Sequence, residues 1–295
     1  MIEFGLWYLN VMKSMTRYLY LFVFATLIFS QSLVSAKVEA VIGSVPLAKN
    51  PNLITAFPVT DLPEIVISRP QYIISYNKER RSPNWVAWMV DKSKLGTSGR
   101  SNAFTSDKEL EKYLATADPG KHAVTPADYA GSCFDRGHQA PSGDRTDILA
   151  NNEATFVMSN MIPQTQYLNR MIWEQLEQYT RDLVTKQKKK VYVIAGPIYD
   201  QDFGSIGPKM DIKVPSKDFK MIIILDENQT AKDITPTTPT ILVVMPNTLQ
   251  DGSVPVPNSV GCVGLPAASN VAPGKWETYK SNLQDIQKLS GLQFP

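Results

Sequence analysis

Five short runs of aromatic and β-branched residues dominate the pattern of this chain and limit what it can fold into. Residues of these types favour strands, and runs this short suit strands better than helices. The runs are residues 71–76, 84–90, 191–195, 220–225 and 240–245. The first two are predicted to pair, and the last two are predicted to be central strands because they are almost wholly apolar.

Two segments have the spacing of amphipathic helices. In residues 165–186, large apolar side chains recur every three or four positions, which predicts a long helix. A second helix is predicted over residues 275–289, and it stops before Gly291. Strands therefore outnumber helices, and the fold class is a mixed α+β domain.

Composition narrows the range of functions. The formal charge is only +2, which excludes a polybasic, histone-like binder. Two cysteines are too few for a disulfide-dense scaffold or a zinc module with cysteine ligands. Two histidines, His122 and His138, are the only sources of imidazole chemistry.

The N-terminus resembles a secretory signal peptide. An apolar run at residues 18–30 follows Lys13 and Arg17 and precedes small residues that end at Ala36. The run is short for a membrane span, which needs about 20 residues. We therefore predict a signal peptide over residues 1–36 and export to the periplasm or the medium. An uncleaved anchor or a buried helix is the alternative.

The rest of the chain divides into a lead-in and a domain. Four prolines fall within residues 37–69, and we interpret this segment as irregular. Residues 70–295 form the predicted domain. It has no apolar run long enough to span a membrane, so no stable membrane association is expected after cleavage of the signal peptide. In an oxidising compartment Cys133 and Cys262 could pair; two buried free thiols are the alternative.

The long helix carries an unusual combination of side chains. Asn169, Trp173 and Glu177 are four residues apart and are predicted to share one face. An amide oxygen and a carboxylate are hard ligands, suited to Mg²⁺ or its bound waters. The alternative is a solvated face with a half-buried tryptophan.

The tetrapeptide Asp135-Arg136-Gly137-His138 contains the second chemical group of interest. A lone histidine in such a setting is often structural. An arginine near the imidazole, however, lowers its pKa and keeps the ring neutral, so that it can act as a base near pH 7. Gly137 permits a turn or a close approach of phosphate.

These residues together resemble the signature of the DNA/RNA non-specific endonucleases, the family of the Serratia-type secreted nuclease and mitochondrial endonuclease G. The first block is Asp-Arg-Gly-His at 135–138, and the second runs from Ser-Asn-Met-Ile-Pro-Gln at 159–164 to Asn169 and Glu177. An upstream segment with Arg100 matches more weakly. Two blocks in the right order make a stronger signal than either alone.

The resemblance implies a ββα-metal (His-Me finger) core on a central, mainly antiparallel sheet flanked by helices. It implies that His138 is the general base and that Asn169 is the one direct protein ligand of Mg²⁺, with Mn²⁺ as a substitute. Glu177 would hold metal-bound water, and Arg136 and Arg100 would neutralise phosphate charge. The substrates would be DNA and RNA, cleaved to 5′-phosphate ends.

Further residues have less defined roles. Asp135 is expected to orient the backbone or the histidine region. Asn160 and Gln164 are expected to hydrogen-bond metal-bound water or to cap the following helix. His122 is expected to be exposed, and a nucleophilic role for Cys133 is rejected because nothing marks an oxyanion hole.

Two other functions fit the same residues. One is an inactive nuclease fold that captures extracellular nucleic acid, and the other is a metal-dependent phosphodiesterase with a different substrate. The sequence does not determine the oligomeric state, and both a monomer and a dimer are compatible with it.

Overall fold

A seven-stranded sheet is the framework of the computed structural model, which describes residues 38–54, 57–258 and 274–294. The strands of the described residues are β1 (Val38–Ile42), β2 (Glu64–Ser68), β3 (Ile73–Asn77), β4 (Ser82–Val90), β5 (Asp135–His138), β6 (Met161–Gln164), β7 (Lys189–Ile198), β8 (Ser205–Ile206), β9 (Ile212–Lys213), β10 (Lys217–Asp226) and β11 (Thr240–Pro246).

Helices connect and cover these strands. The α-helices are α1 (Lys108–Ala117), α2 (Leu149–Ala154), α3 (Glu174–Gln187) and α4 (Leu283–Ser290), and a π-helix (Leu168–Trp173) leads directly into α3. Short 3₁₀ helices lie at Leu47–Lys49, Lys92–Lys94, Pro126–Tyr129, Ser142–Asp144, Met158–Asn160, Ala231–Asp233 and Trp276–Tyr279.

The order of strands in the main sheet is β1-β2-β3-β4-β7-β10-β11. The β1–β2 pair is parallel, and every other pair in this sheet is antiparallel. The five predicted strands are confirmed as β3, β4, β7, β10 and β11. The prediction that residues 240–245 form a central strand was wrong, because β11 lies at the edge of the sheet and is only partly buried. The predicted α+β class with a mainly antiparallel central sheet flanked by helices is confirmed as well.

The prediction of an irregular lead-in over residues 37–69 was wrong. Strands β1 and β2 lie in this segment and extend the main sheet beyond β3. The prolines that suggested irregular structure lie outside both strands. Strand β2 is wholly buried, so it contributes to the core and does not merely precede the domain.

The main sheet is buried on both faces. Side chains alternate along a strand, so neighbouring residues of β4 enter different cores. Trp88 packs in one core with Ile172 of the π-helix, whereas Trp85 packs in the other core with Ile286 of α4. Burial on both faces explains why the central strands are apolar runs without a polar alternation.

The last helix begins later than predicted. The segment from residue 275 forms a 3₁₀ helix at Trp276–Tyr279, and α4 begins separately after Asn282. The Asn282 side chain accepts a hydrogen bond from the backbone of Asp285, which caps the new helix. The predicted end before Gly291 is confirmed; this glycine has a φ of 73°, in the left-handed region.

The predicted signal peptide, residues 1–36, lies outside the described residues, so export stays a prediction. Among the residues that the structure describes, no helix is both long enough and apolar enough to cross a membrane.

Candidate active site

Strands β5 and β6 form a separate antiparallel pair next to the π-helix. Asp135 pairs with Gln164 at one end, and His138 pairs with Met161 at the other. The chain leaves β6 at Gln164 and enters the π-helix at Leu168, so the three elements form a ββα unit. This connection brings a histidine from a strand and an asparagine from a helix to one place.

That place is a cleft with a volume of about 280 Å³. Its lining residues are Arg100, Arg136, His138, Pro141, Ser142, Gly143, Asn169, Arg170, Glu174 and Glu177. The structure therefore brings together the five side chains to which the sequence assigned base, metal and phosphate roles.

His138 is held in an apolar slot. Its ring packs against Phe104 and Phe156, with ring centroids 5.7 Å and 4.8 Å away, and the residue is only 7% exposed. Burial, which has the largest effect, and the positive charges of Arg100 and Arg136 together lower the pKa of His138 to about 3. The imidazole is therefore neutral near pH 7, as a general base requires.

The two arginines border the cleft and rest on the same aromatic pair. The guanidinium of Arg136 lies 4.2 Å from the ring centroid of Phe104, and that of Arg100 lies 4.9 Å from that of Phe156. Arg100 also donates to the Ser142 hydroxyl at 2.7 Å. Stacking on aromatic faces fixes the planes of these arginines while leaving them beside the cleft.

Asn169 is oriented by Asp135. Its amide nitrogen donates to the Asp135 carboxylate at 2.9 Å, and Arg170 donates to the same carboxylate through Nε and Nη2, at 2.8 Å and 2.7 Å. The Asn169 Oδ1 atom has no hydrogen-bond partner among the described residues. The expectation was that Asp135 orients the backbone or the histidine region. Its carboxylate instead accepts hydrogen bonds from the side chains of Asn169 and Arg170.

Glu177 lines the cleft from α3. Its Oε1 atom lies 3.6 Å from the Nζ atom of Lys220, a residue of β10 that is 1% exposed. Burial raises the pKa of Glu177, and the charge of Lys220 opposes this rise. The side chain of Glu177 is 12% exposed, and it lines the cleft.

The predicted common face of Asn169, Trp173 and Glu177 is not found. Trp173 is 1% exposed and packs in the core, whereas Asn169 and Glu177 line the cleft. Asn169 lies in the π-helix, whose wider turn changes the spacing on which a shared α-helical face depends. Arg170 and Glu174 take the places beside the cleft instead.

Asn160 and Gln164 lie outside the cleft, which corrects the expectation that they bind metal-bound water or cap the helix. The Asn160 side chain exchanges hydrogen bonds with the backbone of Ala140 and so holds the segment that follows His138. Gln164 is fully buried and donates to the Asp218 carboxylate of β10. Its side chain faces the main sheet, which it links to β6.

The other predicted residues are not part of the cleft. His122 is exposed, as expected, with 59% of its side-chain surface accessible. Cys133 does not line the cleft, and no cysteine among the described residues is free. Cys262 lies outside the described residues, so its pairing with Cys133 stays a prediction.

The donor atoms suit a hard, water-rich cation. The cleft offers the amide oxygen of Asn169 and the carboxylate of Glu177, both oxygen ligands. Within the described ranges, no group of three or more His, Cys, Asp or Glu residues could hold a metal ion. A cation in this cleft would keep most of its bound water, which is the usual behaviour of Mg²⁺.

Several residues of the site escaped the sequence reasoning. The place of Arg170 and Glu174 beside the cleft was not predicted, because it depends on the π-helical turn. Phe156 was not singled out although it lies just before the second motif block, and Lys220 was assigned only to a predicted strand. The adjacency of Arg170 to Asn169 was the one local clue available.

A strand histidine and a helix asparagine that share one cleft beside a β5–β6 pair define the ββα-metal, or His-Me finger, class of nucleases. The chain belongs to the DNA/RNA non-specific endonuclease family, whose family model matches residues 49–295.

Named relatives are nucleases from several sources. The chain is 37% identical to "Nuclease" from Nostoc sp., over 76% of this chain and 70% of that protein. It is 30% identical to "Nuclease C1" of Cunninghamella echinulata, over 77% of this chain and 81% of that protein. It is 33% identical to human "Endonuclease G, mitochondrial", over 53% of this chain and 54% of that protein.

A solved structure has the same fold. A chain of the "EndoG/EndoGI complex" aligns with a TM-score of 0.56 and 23% sequence identity. The alignment covers 78% of this chain and 84% of the other. At this identity the likeness concerns the fold, and it agrees with the ββα unit described above.

Proposed function

We propose that this protein is an exported, Mg²⁺-dependent endonuclease that hydrolyses phosphodiester bonds of both DNA and RNA and leaves 5′-phosphate ends. The observation that carries the proposal is the meeting of a neutral His138 and the unpartnered Oδ1 of Asn169 in one arginine-bordered cleft. Membership of a nuclease family supports the same reaction class.

His138 acts as the general base in this proposal. Its Nε2 atom is buried and has no hydrogen-bond partner in the described structure, so the ring is not committed to a neighbouring side chain. In the proposal, the neutral ring accepts a proton from the attacking water. Because its pKa is low, the ring does not hold a proton before the reaction begins. A positioned base of this kind contributes typically 10²–10⁴-fold to the rate.

Arg100 and Arg136 bind the phosphate. Their guanidinium groups flank His138 by stacking on Phe156 and Phe104, so they can neutralise a phosphate that approaches the base. Contacts of this kind involve the backbone of the nucleic acid, which is the same in every sequence. They therefore support cleavage without sequence preference.

Asn169 would hold the metal through Oδ1, and Glu177 would hold one of its waters. Asp135 keeps the amide nitrogen of Asn169 engaged, so that the oxygen stays directed away from this hydrogen bond. When bound, Mg²⁺ would supply charge stabilisation at the phosphate and the leaving oxygen. The hard oxygen donors favour Mg²⁺, with Mn²⁺ as a substitute.

The reaction is tested with purified residues 37–295. Supercoiled plasmid and RNA are incubated with Mg²⁺, with Mn²⁺ and with a chelator, and product ends are examined by enzymatic labelling with and without prior dephosphorylation. We expect both polymers to be cleaved with metal only, and 5′ ends that accept label only after dephosphorylation. Absence of cleavage under every metal condition would refute the proposal.

Export rests on the N-terminal sequence alone. Its test is expression of the full chain, followed by fractionation and N-terminal sequencing of the mature protein. We expect a protein outside the cytoplasm that begins at Lys37. A full-length protein retained with the cells would contradict export and leave the nuclease proposal intact.

A further inference from the structure

Lys220 is a charged residue in the middle of a core. It lies on strand β10 of the main sheet, is 1% exposed, and has the apolar residues Met221 and Ile222 beside it in sequence. Taking an ammonium group out of water costs several kcal/mol, and a buried ion pair seldom stabilises a fold more than apolar residues of the same volume. Stability therefore does not explain a lysine at this position.

The surroundings of its Nζ atom suggest another reason. Nζ lies 3.9 Å from the ring centroid of Trp173 and 5.9 Å from that of Trp88. The Trp88 indole in turn donates to Asp144 at 2.9 Å, which fixes its ring. The ammonium group thus lies over two aromatic rings, and Glu177 Oε1 lies 3.6 Å from it.

Glu177 has few other means of being held. Arg181 lies on the same helix, but its guanidinium donates to Asp144 and to Gln178. Among the described residues, Lys220 is the cation within ion-pair distance of the Glu177 carboxylate. Lys220 is buried in the core and does not line the cleft, whereas Glu177 does.

We propose that Lys220 is a positioning residue for the hydrolysis reaction, because it fixes the carboxylate of Glu177 from behind so that the carboxylate presents to the cleft in one orientation. This inference rests on the proposed function, in which Glu177 holds a metal-bound water. Lys220 does not line the cleft, so it touches neither substrate nor metal and acts through Glu177.

A double-mutant cycle tests this inference. The proteins are the wild type, Lys220→Met, Glu177→Gln and the double variant. Single-turnover cleavage of labelled DNA is measured at saturating Mg²⁺ over a range of DNA concentrations, which gives the maximal rate and the DNA concentration for half-maximal rate separately. We expect Lys220→Met to lower the maximal rate by about 10–100-fold, as loss of an outer-shell partner does. The DNA concentration for half-maximal rate should change little, since Lys220 is remote from the phosphate-binding arginines.

The cycle separates positioning from a general structural effect. In the Glu177→Gln background, Lys220→Met should lower the rate less than about twofold, because coupled residues are not additive. The same fold-loss in both backgrounds, or no loss in the wild-type background, would overturn the inference. If the wild type itself shows no metal-dependent cleavage, the proposed function fails and not merely the role of Lys220.

Two further variants guard against misfolding. Lys220→Arg keeps the charge and is expected to retain more activity than Lys220→Met; the reverse order would contradict the inference. If Lys220→Met does not fold, as judged by circular dichroism, Lys220→Gln takes its place in the cycle with the same expected non-additivity.

Discussion

The environment of His138 shows how a few neighbours set the chemistry of one side chain. Two phenylalanines exclude water from the ring, and two arginines stacked on those same phenylalanines add positive charge beside it. Both effects disfavour the imidazolium form. The sequence predicted the arginine effect from Arg136 but not the larger effect of burial, because Phe156 is 18 residues further along the chain.

A pH dependence of stability follows from this burial. The pKa of His138 is about 3 in the folded protein against 6.5 as its ordinary value, so between these limits the unfolded chain binds the extra proton. The contribution of His138 to the free energy of unfolding is therefore fully present above pH 6.5 and is lost as the pH falls towards 3. In this range the free energy of unfolding changes by up to about 1.4 kcal/mol per pH unit because of this group.

Chemical denaturation of the wild type and of His138→Ala at several pH values checks this expectation. The free energy of unfolding should fall less steeply below pH 6.5 in the variant. Parallel curves for the two proteins would show that His138 titrates normally in the folded state.

Asp135 provides a second test at the residue scale. Asp135→Ala removes the acceptor that holds the Asn169 amide and the partner of Arg170. We expect the Mg²⁺ concentration for half-maximal activity to rise by about 10–100-fold, with a smaller change in the maximal rate at saturating metal. Glu153→Ala is a suitable control because Glu153 lies on α2 and does not line the cleft. An unchanged Mg²⁺ requirement in Asp135→Ala would contradict the orienting role.

At the scale of elements, the fit of β5 against β6 depends on a missing side chain. A Cβ atom added at Gly137 would overlap the side-chain amide of Gln164. The sequence explained Gly137 by a turn or a phosphate contact, whereas the structure shows close packing within the β5–β6 pair. Gln164 in turn links this pair to Asp218 of the main sheet.

Gly137→Ala should therefore destabilise the protein by about 1–3 kcal/mol, the usual cost of overpacking. The loss should be smaller when Gln164 is already alanine, because the overlapping atoms are then absent. Gly99→Ala is the matched control, since a Cβ there meets no atom within 4 Å. Equal losses for Gly137→Ala in both backgrounds, measured by urea denaturation, would contradict this packing.

Sequence periodicity predicted most helices and strands, but it did not predict which residues of the long helix line the cleft. The spacing in residues 165–186 was right about a helix and about its buried apolar stripe. It was wrong about a face shared by Asn169, Trp173 and Glu177, because the π-helical turn leaves no mark in the pattern of apolar residues. Strand β1 was missed since its residues are partly exposed at the sheet edge and lack a strong alternation.

At the scale of the whole molecule, the order of strands was out of reach of sequence reasoning. Strands β4 and β7 are neighbours in the sheet, although the entire ββα unit lies between them in the chain. Their pairing depends on contacts between residues far apart in sequence, which local patterns do not encode. The motif resemblance nevertheless predicted which five side chains would share the cleft.

The low net charge predicts a weak salt dependence of binding. The chain carries a charge of only +2, and the positive side chains that line the cleft are Arg100, Arg136 and Arg170. Arg170 is already paired with Asp135, so the two phosphate contacts of Arg100 and Arg136 correspond to a slope of about −2 for log K against log salt concentration on duplex DNA. Fluorescence anisotropy with His138→Ala and a chelator measures the slope without cleavage. A slope of about −6 or steeper would instead indicate a wide basic surface.

Single-turnover cleavage of supercoiled plasmid by the wild type and by His138→Ala tests the central assignment most directly. We expect the variant to lose about 10²–10⁴-fold in rate at saturating Mg²⁺, to keep the wild-type circular dichroism spectrum, and to regain part of the rate when imidazole is added. A folded His138→Ala protein that cleaves at the wild-type rate would contradict the assignment of His138 as the general base.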